Sequence, residues 1–149
     1  MMFRQSGVIP YRVRSRTVEI LLVTTSSGKR WGIPKGWISL FMSPSGSAAK
    51  EAWEEAGIVG SVITPAIGEY QIRKWGYPCQ VKVFLMQVQK VADDYPEVKQ
   101  RQRQWFSLDK AIKRIKDPEL QALFSQIEPS LLLEGMKRSQ ISQRQDSRL

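Results

Sequence analysis

Three glutamates set the chemistry open to this chain. Glu51, Glu54 and Glu55 stand at spacing i, i+3, i+4 inside Ser45–Ala56, a stretch rich in alanine and glutamate. Both residue types favour helix, and that spacing puts the three carboxylates on one helical face. Ser43 is suited to cap the helix start, Pro44 to its first position, and Gly57 to a left-handed residue at its end. Like charges three and four residues apart cost a few tenths of a kcal/mol per pair. Two readings follow. The face is a solvated acidic surface, or it gathers hard oxygen ligands for a hard cation such as Mg²⁺ or Mn²⁺. Lys50 is the one cation in the helix, in a chain of net charge +9, so the usual interspersed lysines of a solvated face are missing. Ala49, Ala52, Trp53 and Ala56 are expected to pack the opposite face on a sheet.

The segment from Gly36 to Ile58 resembles the Nudix box, G-x5-E-x7-R-E-U-x-E-E-x-G-U, with its spacing kept over all 23 positions. Met42 stands where the box has its first glutamate, and Lys50 where it has arginine; Ala52 is a mild variant at an apolar position. Glu19–Val23, Arg30–Trp31 and Arg103–Ile112 extend the similarity toward the diphosphoinositol and diadenosine polyphosphate phosphohydrolases, over roughly residues 5–127. The resemblance implies an α/β protein, an α/β/α sandwich with a mixed sheet. It also implies a Mg²⁺- or Mn²⁺-dependent pyrophosphohydrolase, cleaving a phosphoanhydride in a nucleoside or inositol polyphosphate such as a diadenosine polyphosphate.

By the same resemblance Glu51, Glu54 and Glu55 are the catalytic and metal-binding residues, with the backbone carbonyl of Lys35 as a further ligand. The general base is one of them or an acid from another loop, for which Glu69 and Glu97 are candidates. Lys29, Arg30, Lys35, Arg101 and Arg103 are the candidate phosphate and substrate ligands, arginine because its fork matches phosphate oxygens; for Arg101 and Arg103 the alternative is a solvated edge-strand face. Trp31 and Trp37 are placed to stack on a base or to pack in the core. Lysine at 50 keeps the charge of the family's arginine and loses its fork. Met42, a thioether, is a poor ligand for a hard cation. That departure supports an alternative in which the chain is a weakened module that binds nucleotide or polyphosphate as a sensor. The run Leu40-Phe41-Met42 either packs inward or forms a hydrophobic lip.

The rest of the chain bounds these readings. Its 149 residues suit one domain, here 1–135, followed by a basic, flexible tail at 136–149. There is no histidine, which excludes histidine catalysis and ligation, and the single Cys79 excludes an internal disulfide and fits a reducing compartment. No run approaches the ~20 apolar residues of a membrane span, and the first residues lack the apolar core of a signal peptide, so a cytoplasmic location is expected. Net charge +9 points to polyanions: first a small phosphorylated substrate, then nucleic acid.

The elements that must hold the glutamates are legible in outline. Gly7–Arg12 and Thr17–Thr24 read as strands, and Thr24–Arg30 as a polar turn. Ile58–Ile63 is a strand, and Ala66–Trp75 and Cys79–Val91 a hairpin about Gly76-Tyr77-Pro78. Asp93–Glu97 is an acidic loop. Arg101–Phe106 reads as the last strand, with Arg101, Arg103 and Trp105 on one face. Helices are expected over Leu108–Lys116 and Pro118–Ile127, with an extension over Ser130–Met136.

Overall fold

The computed structural model describes residues 2–130, 132 and 133. The expected extension helix from Ser130 lies largely outside them, and the basic tail entirely so. Seven strands form one mixed sheet: β1 (Phe3–Arg14), β2 (Thr17–Thr24), β3 (Trp31–Gly32), β4 (Lys35–Trp37), β5 (Ile58–Lys74), β6 (Tyr77–Val91) and β7 (Arg103–Ser107). The main path runs β3-β2-β1-β6-β5, with β4 paired to β1 and β7 to β2. β1 and β6 are parallel, in register from Phe3 opposite Cys79 to Tyr11 opposite Gln87; the other pairings are antiparallel. Helix α1 (Pro44–Ala56) covers one face, and α2 (Leu108–Arg114) and α3 (Pro118–Ser125) the other.

Successive strand residues point to opposite faces, which explains why the strands read as continuous apolar runs. Val8 of β1, Leu21 and Val23 of β2, and Phe84 and Met86 of β6 pack with Ala48, Ala52 and Ala56 of α1. Their neighbours Ile9, Ile20, Leu22, Val81 and Val83 face Leu120, Leu123 and Phe124 of α3. A strand buried on both sides has no polar stripe to show.

Helix α1 starts and stops as its residues dictate. The Ser43 hydroxyl accepts from the Gly46 N–H at 3.0 Å, Pro44 opens the first turn, and Gly57 ends it at φ +64°. A side chain at Gly57 would also run into the Tyr95 ring and the Arg103 guanidinium. The packing face is rotated from expectation: Trp53 is exposed, while Ala48 and Glu55 are buried with Ala52 and Ala56. The acidic and packing faces thus overlap at Glu55 and are not opposed.

Strand boundaries differ as well. Ile58–Ile63 and Ala66–Trp75 are one strand, β5, with register shifts against β6 at Val59/Gly60 and Ile63/Gly68. Pro65, which has no N–H to give a ladder, falls within the second shift, so the irregularity sits where the sequence suggested a break. The turn is at Trp75-Gly76, and Tyr77 and Pro78 already belong to β6. β7 begins at Arg103, so Arg101 lies outside the strand.

Candidate functional site

Helix α1 meets strands β1 and β4 at a cleft of about 340 Å³, lined by Glu51 and Glu55, by Lys35, Lys74 and Arg101, and by Gln5. Gly36 is the hinge of this arrangement. The Glu51 carboxyl group occupies the space a Cβ at position 36 would fill, so only glycine lets β4 pass so close to the helix. Beside it, Glu55 Oε2 accepts the backbone N–H of Lys35 at 3.1 Å. The loop between β4 and α1 is pinned by Ser47 Oγ, which accepts the Ser39 N–H at 2.9 Å.

Glu55 is only 7% exposed. Burial pushes its carboxyl up to about 7, against the pull of the Arg101 guanidinium at 3.4 Å and of the Lys35 N–H. Glu51 is raised too, first by burial and then by the neighbouring Glu54 charge. The Lys35 amine is lowered, chiefly by burial, with Lys74 and Arg101 pushing the same way and Glu55 opposing. Two carboxylates that ionise reluctantly face three cations in one partly dry cleft. Such a site needs more positive charge near Glu51 and Glu55 and negative charge near the cations.

The donor set fits a hard divalent cation. Glu51 and Glu55 supply carboxylate oxygens, and Gln5 Oε1, buried in the cleft wall, has no hydrogen-bond partner among the described residues. An amide oxygen in the wall of the cleft that Glu51 and Glu55 line is a donor of the kind Mg²⁺ and Mn²⁺ take. Among the described residues no three acidic side chains converge into a ready cage. Glu54 turns to Lys50 at 3.7 Å, the i, i+4 pair that the lysine variant of the box makes.

The other expected residues are sorted by the fold. Arg101 stands in the cleft, held by Glu97 at 3.1 Å and by the Thr24 carbonyl at 3.1 Å. Arg103 does not join it. Its guanidinium donates to the Ala56 and Ala92 carbonyls at 2.7 and 2.5 Å and lies over the Tyr95 ring, tying the end of α1 to the segment after β6. Lys29 and Arg30 project from the β2–β3 turn into a separate groove with Trp31. Glu97 sits at the end of α1, its N–H donating to the Glu54 carbonyl, while Glu69 faces Lys82 and Gln80 on β5–β6. Leu40 and Phe41 are exposed at a turn, not packed inward, and Phe41 takes a left-handed φ of +67°.

Sequence reasoning missed Gln5 and Lys74, which come from the far end of β1 and the tip of the β5–β6 hairpin. Of an aromatic cluster at the mouth it named only Trp37. Trp37 lines the cleft and stacks on Trp75 at 5.6 Å, and Phe3 sets its ring edge-on to Trp37, Trp75 and Tyr77 at 5.3 to 5.9 Å. Nothing local announces either group; they meet because β1, β4 and the hairpin tip are neighbours in the sheet.

A mixed sheet between helices, with a glycine-seated glutamate helix at its edge, is the arrangement of a Nudix fold. The chain belongs to the Nudix hydrolase family: the NUDIX domain profile matches residues 3–126. It is 32% identical over 125 residues to Nudix hydrolase 18, mitochondrial, of Arabidopsis thaliana, covering 74% of this chain and 68% of that one. It is 32% identical over 103 residues to diphosphoinositol polyphosphate phosphohydrolase 3-alpha of Mus musculus, covering 66% and 60%. The chain spans between about half and two thirds of the length of the curated relatives it matches. Among solved structures, a C. elegans Ap4A hydrolase superposes with a TM-score of 0.70 at 24% identity, over 84% of this chain and 95% of that one, a likeness of fold.

Proposed function

We propose that this protein is a divalent-metal-dependent pyrophosphohydrolase acting on a nucleoside polyphosphate, of which a diadenosine polyphosphate is the leading case. The observation that carries the reading is the buried Glu55 carboxylate, which shares with Glu51 and Gln5 a cleft whose other walls carry Lys35, Lys74 and Arg101. Phosphoanhydride cleavage asks for charge neutralisation on the phosphates and a positioned water more than for covalent chemistry.

Glu51, Glu55 and Gln5 would hold Mg²⁺ or Mn²⁺, which when bound neutralises phosphate charge and acidifies a water. Glu54 and the Lys35 carbonyl stay candidate ligands. Lys35, Lys74 and Arg101 bind and orient the phosphates; Arg101, bridging Glu55 and Glu97, exchanges carboxylate for phosphate oxygens without leaving the cleft. Glu97, released from that pair, is the acid nearest to hand outside the helix. The Phe3, Trp37, Trp75 and Tyr77 rings favour a substrate with a planar base over an inositol, whose ring has no π face. Cytoplasmic location is part of this proposal, and fractionation decides it.

The sensor reading draws on the same geometry: Arg101 already pairs with Glu55, and Met42 replaces an acid. One experiment separates the two. The cleavage products (mononucleotides, sugar phosphate, pyrophosphate or phosphate, according to the compound) are separated and followed with Mg²⁺ or Mn²⁺ on diadenosine tetraphosphate, nucleoside triphosphates, a sugar nucleotide and a diphosphoinositol polyphosphate, for the wild type and for Glu51→Gln, Glu54→Gln and Glu55→Gln. Metal-dependent turnover, greatest on base-bearing substrates and reduced at least 100-fold in Glu55→Gln, supports the enzyme. Binding without turnover on any of these compounds overturns it in favour of the sensor.

A further inference from the structure

Among the described residues a second cationic surface lies apart from the cleft. A groove of about 690 Å³ is lined by Lys29, Arg30 and Trp31 on one wall and by Lys110, Lys113, Arg114 and Lys116 on the other. No acidic side chain lines it, and all six cations are exposed. Among the described residues none of the six has a carboxylate partner, although the chain makes ion pairs elsewhere. Lys113 and Arg114 in the last turn of α2 suit the negative end of that helix. That accounts for one wall. It does not account for Lys29 and Arg30, brought to the opposite wall by the closed Thr25–Arg30 turn, where an anion between the walls would meet cations on both sides.

The layout of the charges describes the anion. Lys110, Lys113 and Arg114 run along one face of α2 at spacing i, i+3, i+4, over about 6 Å of axis at 1.5 Å per residue, and Lys116, two residues past its end, lines the same groove. A row suits phosphates in sequence; a compact anion would call for cations converging on a point. Trp31 adds an aromatic surface between the rows, half-buried and braced edge-on by Phe106 at 5.2 Å. Basic residues in a row interleaved with an aromatic ring are how single strands are held, by their phosphates and by stacking of a base.

We propose that this groove is a binding site for single-stranded nucleic acid, separate from the hydrolytic cleft and divided from it by strand β3, whose Gly32 lines the cleft while Trp31 lines the groove. The test is fluorescence anisotropy of a labelled 12-nucleotide single-stranded RNA with the full chain, no divalent metal added. Binding should weaken about 30-fold between 50 and 200 mM salt, as three to four phosphate contacts require. The triple variant Lys110→Gln/Lys113→Gln/Arg114→Gln should bind at least tenfold more weakly while keeping its melting temperature and its hydrolysis rate on small substrates. An abasic chain of equal length should bind about tenfold more weakly than the RNA. The proposal is overturned if the triple variant binds as the wild type does, or if Arg14→Gln/Arg16→Gln on the β1–β2 turn costs as much affinity. It is also overturned if inorganic polyphosphate or the abasic chain binds as tightly as RNA, which would make the groove a site for phosphate chains at large.

Discussion

At the scale of the residue, Glu55 decides the behaviour of the site. Its carboxyl is raised to about 7, mainly by burial, so the folded protein holds that proton more tightly than the unfolded chain does. A group raised in this way contributes stability that is present below its unfolded value of about 4.5 and is lost as pH rises through about 7. In EDTA, Glu55→Gln is therefore expected to be more stable than the wild type at pH 8, by up to about 3 kcal/mol at 1.36 kcal/mol per pKa unit, with the gap closing toward pH 4.5. Urea unfolding at the two pH values checks the sign; equal stabilities at pH 8 would show that Arg101 compensates the buried charge in full. Gly36 makes the complementary case. Gly36→Ala puts a methyl group where the Glu51 carboxyl lies and should cost 10-fold to 100-fold in kcat, because a displacement of about 1 Å at a catalytic group has effects of that order.

At the scale of the element, α1 is held at both ends by groups that do no chemistry. Gly57 ends it in the left-handed region against Tyr95, and Arg103 ties its last carbonyl to Ala92. Gly57→Ala combines a left-handed penalty of about 1–2 kcal/mol with a clash against that ring, and should destabilise the fold by at least about 2 kcal/mol. Ser43→Ala at the other end should cost about 1 kcal/mol. Thermal melts rank the two. Expecting Arg103 to bind phosphate followed from its position two residues from Arg101 in an apparent strand. The fold turns one guanidinium into the cleft and the other onto a helix end, because β7 begins between them.

At the scale of the molecule, a cation that binds only the folded cleft must raise its stability, by about 2.7 kcal/mol at one hundred times its Kd. Mn²⁺ or Mg²⁺ should raise the melting temperature of the wild type and leave Glu51→Gln/Glu55→Gln unmoved, with EDTA reversing the shift. An unchanged wild-type melt at saturating metal would remove the metal from the proposal. What the amino-acid order determines unaided is local and periodic. The caps and length of α1, the glutamates on it, the glycines at both ends of the box and the two-sided burial of the central strands follow from rules acting within a dozen residues. Which glutamates face the cleft, that Gln5 and Lys74 join them, that four aromatic rings gather at its mouth, and that Lys29 and Arg30 face α2 and not the site are decided by tertiary structure. Those neighbours lie as far apart along the chain as Glu55 and Lys74, 19 residues, or Lys29 and Lys116, 87 residues, and only the pairing order of the sheet brings them within reach.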